Sequence, residues 1–221
     1  MIHVAIIASA TILLAVVLHA ERKESRRLLV PGKSTLSALF ILAALAEPHS
    51  LPVYDRLLVA GLCLCLVGDI CLAFPQKRMF LAGLLSFLAG HVFYVLAFSH
   101  VAGLGGWTWM GGIAVCGVSG WIYLWLSPHL GKMKGPVVLY VIVISAMVVS
   151  AFSVLGHGRL PASARWMVFS GAVCFYCSDI FVARDRFVRK EFLNRVVGLP
   201  MYYAGQFLLA FSIGMVKWAG Q

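Results

Sequence analysis

Eight apolar runs, most of them near the roughly 20 residues that a helix needs to cross a hydrocarbon core about 30 Å thick, fill this chain and leave only short connections between them. They extend from Ile2 to Ala20, Ser34 to Ala46, Val53 to Phe74, Met79 to Val101, Trp107 to Leu126, Pro136 to Leu155, Ala164 to Ala183 and Val196 to Val216. Backbone amides in lipid must bond within their own segment, so runs of this length and spacing predict helices. The expected architecture is an all-α, polytopic integral membrane bundle of eight transmembrane helices, one domain over residues 1–221 with no soluble domain. No internal repeat and no low-complexity tract interrupts it.

The chain is 62% hydrophobic and 12% charged, with 18 Lys and Arg against 8 Asp and Glu, a formal charge of +10. A soluble domain carries about a quarter charged residues, and a disordered basic tail is poor in large apolar ones. A nucleic-acid binder concentrates its cations on one face of an ordinary globular domain, whereas these are scattered between spans. No nucleic-acid partner is expected. The cations follow the positive-inside rule instead. Fourteen fall in alternate connections: Arg22, Lys23, Arg26, Arg27 and Lys33; Lys77 and Arg78; Lys132 and Lys134; Arg184, Arg186, Arg189, Lys190 and Arg195. The other side receives four: Arg56, Arg159, Arg165 and Lys217. The asymmetry predicts both termini outside. The first run has an uncharged N-terminal flank and a basic cluster after it, which is the reverse of a signal peptide, so it reads as a retained helix. Compact loops and the lack of sorting signals fit a bacterial inner (cell) membrane.

All six cysteines fall inside spans, so no disulfide framework is implied, and Cys174-x-x-Cys177 reads as two small packing residues. The acids are more telling. An ionisable group inside a spanning helix costs about 2.5 to 3.5 kcal/mol on insertion scales and normally faces the bundle interior. Six of the eight acids sit in connections or at helix ends; Asp69 and Asp179 do not. Asp69 lies five residues before Phe74 and Asp179 five before Arg184, so both sit about 7 to 8 Å from the inner helix ends. At a shared level the two carboxyls can meet in one pocket, where an acid beside an ionised carboxylate forms an acid/base pair. The bland alternative is that each makes a separate packing hydrogen bond.

Other polar residues stand out on the same criterion. His91 and Tyr94 share a face of the fourth run near mid-membrane, and the histidine is either a site residue or a hydrogen-bonded structural one. In the last run, Gln206 lies one turn from Tyr202 and Tyr203; its amide needs partners in an apolar bundle, while the tyrosines also fit an interfacial belt. Lys33 opens a short second run, behind a break at Pro31-Gly32. It pairs with an aspartate, holds a lipid phosphate, or snorkels at the boundary. Three converging ligands for a catalytic zinc are not found among the seven histidines, and there is no Gly-x-Ser-x-Gly elbow or phosphate-cradling glycine loop.

Taken in order, Lys33, Gly68-Asp69, Gly90-His91 with Tyr94, Ser178-Asp179 and Tyr202-Tyr203-Ala204-Gly205-Gln206 resemble the YhhN-like transmembrane lysoplasmalogenase family across nearly the whole chain. One departure is Ser34, where the family pattern has proline after the lysine. The resemblance implies hydrolysis of the vinyl ether bond of a lysoplasmalogen to a fatty aldehyde and a glycerophospho-base, glycerophosphocholine or glycerophosphoethanolamine. It implies Asp69 and Asp179 as the catalytic pair, with Lys33, His91, Tyr94, Ser178, Tyr202, Tyr203 and Gln206 around the substrate. The partners are then a lysophospholipid, membrane lipids and water, with neither metal nor organic cofactor. Paired intramembrane carboxylates and a mid-membrane histidine also describe a proton-coupled transporter, and a non-enzymatic lipid-binding protein is a third reading.

Overall fold

The computed structural model describes residues 2–217. Eight α-helices account for nearly all of them: α1 (Ile2–Arg22), α2 (Arg26–Ala46), α3 (Pro52–Leu72), α4 (Lys77–Val101), α5 (Gly106–Leu126), α6 (Lys134–Leu155), α7 (Ala162–Ala183) and α8 (Phe192–Met215). Short 3₁₀ turns join α5 to α6, a π turn (Arg184–Val188) follows α7, and the described residues hold no strand. Seven helices are long and apolar enough to cross a membrane. The other, α3, matches them in length but carries Asp55, Arg56 and Asp69, and it lies against α2, α4 and α8.

Seven of the expected helices match within four residues at either end. The second does not. The expected break at Pro31-Gly32 is absent, and α2 starts at Arg26 and runs through the proline. Pro31 is only the sixth residue of the helix, so its missing N–H removes one hydrogen bond, to the carbonyl of Arg27, and its ring meets only the first turn. Its ring lies on the exposed face, while Gly32 lets α2 approach Val17 of α1.

Two helix pairs are drawn together by glycines. Between α3 and α4, a Cβ at Gly61 would lie 2.4 Å from the Tyr94 ring, one at Gly68 2.6 Å from Phe87, and one at Gly90 3.1 Å from the Gly61 carbonyl. Between α7 and α8, a Cβ at Gly205 would lie 2.9 Å from the Gly171 carbonyl and one at Gly171 3.1 Å from that of Gly205. Lipid tails are as apolar as the side chains they replace, so close backbone approach and van der Waals contact hold such helices together. Each pair carries one of the two intramembrane aspartates. The connections after α1, α3 and α7 converge on one polar cavity, so the predominantly basic connections share an end of the bundle.

A candidate acid/base site in an apolar cavity

Asp69 and Asp179 line one cavity of about 120 Å³. Most of its wall is apolar: Phe87 from α4, Ile122 from α5, Ile144 from α6 and Leu199 from α8 contribute, together with Tyr140, Ser178 and Tyr202. The aspartates lie three residues before the end of α3 and four before the end of α7, so they share a level slightly nearer the helix ends than their spacing in sequence suggests.

The two carboxyls are held differently. Asp69 is 4% exposed, and its Oδ2 accepts from Ser37 Oγ at 2.6 Å and from the Tyr202 hydroxyl at 2.6 Å. Asp179 is half-buried, and its Oδ2 accepts from the Tyr140 hydroxyl alone, at 2.6 Å. No other hydrogen bond to either carboxyl is made among the described residues.

A relay of hydrogen bonds ends on Asp69. Tyr202 commits its hydroxyl proton to the carboxylate, so it must accept from its other neighbour; Gln206 Nε2 donates to it at 3.1 Å. This orients the Gln206 amide and turns Oε1 toward Tyr94, whose hydroxyl donates to it at 2.8 Å. The Cys65 thiol lies 3.6 Å from the Tyr94 hydroxyl and is left as the donor there. Tyr94 and Gln206 are fully buried and stand behind the cavity wall, supporting Tyr202.

The remaining residues singled out in the sequence divide. Ser178 lines the cavity, but its hydroxyl donates to the Phe175 carbonyl one turn back, at 2.7 Å. Tyr203 lies outside the lining, with its hydroxyl 3.5 Å from Ser37 Oγ. His91 is fully buried outside it too, edge-on to Phe175 at 4.5 Å and Tyr140 at 5.4 Å between ring centroids. Neither of its ring nitrogens meets hydrogen-bond geometry, although the Phe87 carbonyl lies one turn back. Lys33 is 2% exposed and pairs with Glu21 at 3.2 Å, an acid assigned from sequence to a solvated connection but placed here in the last turn of α1. It lies outside the cavity lining.

Two direct partners of the acids, Ser37 for Asp69 and Tyr140 for Asp179, were not singled out in the sequence. Ser37 carried a readable signal, since it lies one turn beyond Lys33 on a face buried at helical spacing through Phe40 and Ala44. Tyr140 had only its polarity in the most apolar stretch of the chain. Among the described residues, no group of three or more His, Cys, Asp or Glu is placed to hold a metal ion.

A model of the YhhN family matches residues 31–213, a stretch that includes both aspartates and every residue of the relay. The chain belongs to the YhhN family. The YhhN match leaves out α1, and with it Glu21, the partner of Lys33. Curated relatives lie in distant organisms. A lysoplasmalogenase of Mycobacterium tuberculosis is 32% identical over 174 residues, which cover 76% of this chain and 63% of the relative. The human lysoplasmalogenase TMEM86A is 32% identical over 183 residues, 79% of this chain and 72% of the relative. The rat lysoplasmalogenase TMEM86B is 32% identical over 184 residues, 83% and 71%. The chain thus spans a little under two thirds of the length of its mycobacterial relatives. No solved structure matches it. Its apolar helices and these relatives make this YhhN protein a multi-pass membrane protein.

Proposed function

We propose that this chain is a lysoplasmalogenase that hydrolyses the vinyl ether bond of a lysophospholipid, releasing a fatty aldehyde and a glycerophospho-base. The observation that carries the reading is the pairing of Asp69 and Asp179 in one otherwise apolar cavity. The names of the relatives at 32% identity supply the substrate class.

The chemistry fits two carboxyls. A vinyl ether breaks when its distal alkene carbon takes a proton, which leaves an oxocarbenium ion. Water adds to that ion, and the hemiacetal so formed collapses to aldehyde and alcohol, with one water consumed. The pair resembles the carboxyls of glycosidases, which protonate a leaving group and stabilise an oxocarbenium-like transition state. We assign the proton donor to Asp179, which has the single tether and greater access to the cavity. Asp69, fixed by two hydroxyl donors on one oxygen, is the carboxylate that stabilises the developing cation and takes the proton from water. Tyr94 and Gln206 act by positioning Tyr202, and the apolar wall keeps bulk water from the ion. From the positive-inside pattern we infer that the basic end, toward which the cavity extends, faces the cytoplasm.

The test is incubation of the purified protein in detergent with a lysoplasmalogen and, separately, with an acyl lysophospholipid. Aldehyde from the first and no fatty acid from the second is the expected result. Fatty-acid release would show an esterase. Absence of both products, with pH-driven solute uptake in proteoliposomes, would favour the transporter instead.

A further inference from the structure

The apolar cavity meets a polar one at the basic end of the bundle, and Leu72, Phe80, Val182, Asp185, Arg186 and Arg195 line both. The polar cavity is a vestibule of about 770 Å³ with five cations and four acids in its wall. Every acid is matched. Glu21 pairs with Lys33 and Arg195, Glu24 with Lys190, Asp185 with Arg195, and Glu191 with Arg184 and Arg189. Arg22, Arg26 and Arg186 make no ion pair among the described residues, so the vestibule keeps three unmatched positive charges.

Of these three, only Arg186 also lines the apolar cavity. Its guanidinium carbon lies 4.2 Å from the centroid of the Phe80 ring, a stacking contact that leaves the N–H edge of the group for an acceptor. The backbone that carries it is specialised as well. Arg186 sits in the π turn Arg184–Val188, closed by the Arg189 amide on the Arg184 carbonyl at 2.8 Å, and π turns recur at functional sites. Buried Asn194 ties that turn to α8, donating to the Arg189 carbonyl at 2.8 Å and to Asp185 at 3.2 Å.

The spacing suits a phospholipid. Arg186 follows Asp179 by seven positions, about 10 Å along a helix axis. In a glycerophospholipid the phosphorus lies about 6 Å from the ether oxygen along five bonds. A lipid with its vinyl ether at the aspartates therefore sets its phosphate short of the level of Arg186, within the reach of an arginine side chain.

We propose that Arg186, backed by Arg22 and Arg26, binds the phosphate of the substrate and makes the site selective for phosphorylated ether lipids over neutral glycerol ethers. The proposal rests on the lysophospholipid reading above. It moves the phosphate contact from Lys33, whose charge Glu21 matches, to an arginine at the junction of the two cavities.

The test measures binding rather than turnover. A saturated 1-O-alkyl lysophosphocholine cannot undergo vinyl ether hydrolysis, and its affinity for the full chain in neutral detergent is compared by calorimetry with that of the matching 1-O-alkylglycerol. The expected wild-type preference for the phosphorylated lipid is about 10-fold or more, falling to about twofold in Arg186→Gln, with an intermediate value in Arg186→Lys. If Arg186→Gln fails to fold, the Lys variant and Arg22→Gln carry the comparison, each expected to lose part of the preference. Equal wild-type affinities, or a full preference in the variants, would overturn the proposal. Inorganic phosphate alone is expected to bind more weakly than the lysolipid; equal binding would mark a free-anion site and overturn the headgroup assignment. A clear phosphate preference in protein that releases no aldehyde from lysoplasmalogen would leave the headgroup site standing and remove the reaction.

Discussion

Asp69 and Asp179 reach the same cavity from two glycine-mated helix pairs, yet one is caged and the other is tethered at a single point. On α3, Asp69 takes two hydroxyl donors on one oxygen, and the donor from α8 is backed by Gln206 and Tyr94. On α7, Asp179 has Tyr140 and more open surroundings. A group that must stay ionised and fixed is served by redundant donors. A group that must give up a proton and recover it needs access and few competing bonds. The contrast divides one reaction between two identical side chains.

The largest expected loss comes from removing the donated proton: Asp179→Asn should lower aldehyde release by about 10³-fold, in the range general acids contribute. A loss of less than about 10-fold in folded protein would return the acid role to Asp69. Tyr140→Phe comes next. It removes the only hydrogen bond that the described residues make to Asp179, one that strengthens as the acid gives up its proton and becomes a carboxylate. Such a bond to a charged group contributes about 1.5 to 3 kcal/mol, so kcat should fall by about 10- to 100-fold. The caged aspartate should be more forgiving. Ser37→Ala and Tyr202→Phe should each cost only about threefold because the other donor remains, while the double variant should lose more than the product of the two. Simple multiplication would show that the donors do not back each other.

The smallest expected effect on activity, visible mainly in stability, concerns the helix pairs. Gly205→Ala meets the rigid Gly171 carbonyl at 2.9 Å and Gly61→Ala meets the Tyr94 ring at 2.4 Å. Each should destabilise by about 1 to 3 kcal/mol in unfolding experiments in detergent, the usual cost of overpacking. Ready tolerance of both would show that close backbone approach does not hold these pairs.

The helices were legible because lipid enforces one rule on every segment, and the two aspartates because charge inside an apolar run is conspicuous. The relay was half-legible: the spacing of Tyr202 and Gln206 placed them on one face, but nothing local showed that Tyr94 closes the gap from another helix. Tyr140 was hidden by chemistry that is ordinary in membrane helices, where tyrosines anchor at interfaces, and the helical spacing that marked Ser37 was masked by the habit of serines of bonding their own carbonyls. The continuation of α2 through Pro31 turned on where the proline falls relative to the helix start, and that start could not be seen before the neighbouring helices were placed. Lys33 and Glu21 show the same limit. Both stood near a boundary in sequence, and only the folding of α1 against α2 makes them an ion pair.

The central claim, that the two carboxyls act as one acid/base unit, is tested most directly by aldehyde release from lysoplasmalogen in Asp69→Asn, Asp179→Asn and the double variant, with unfolding midpoints measured alongside. Groups that act together are grossly non-additive. The double variant is therefore expected to lose no more than the worse single, with all three down by about 10³-fold. Losses that multiply, or full activity in either folded single variant, would contradict a shared acid/base pair.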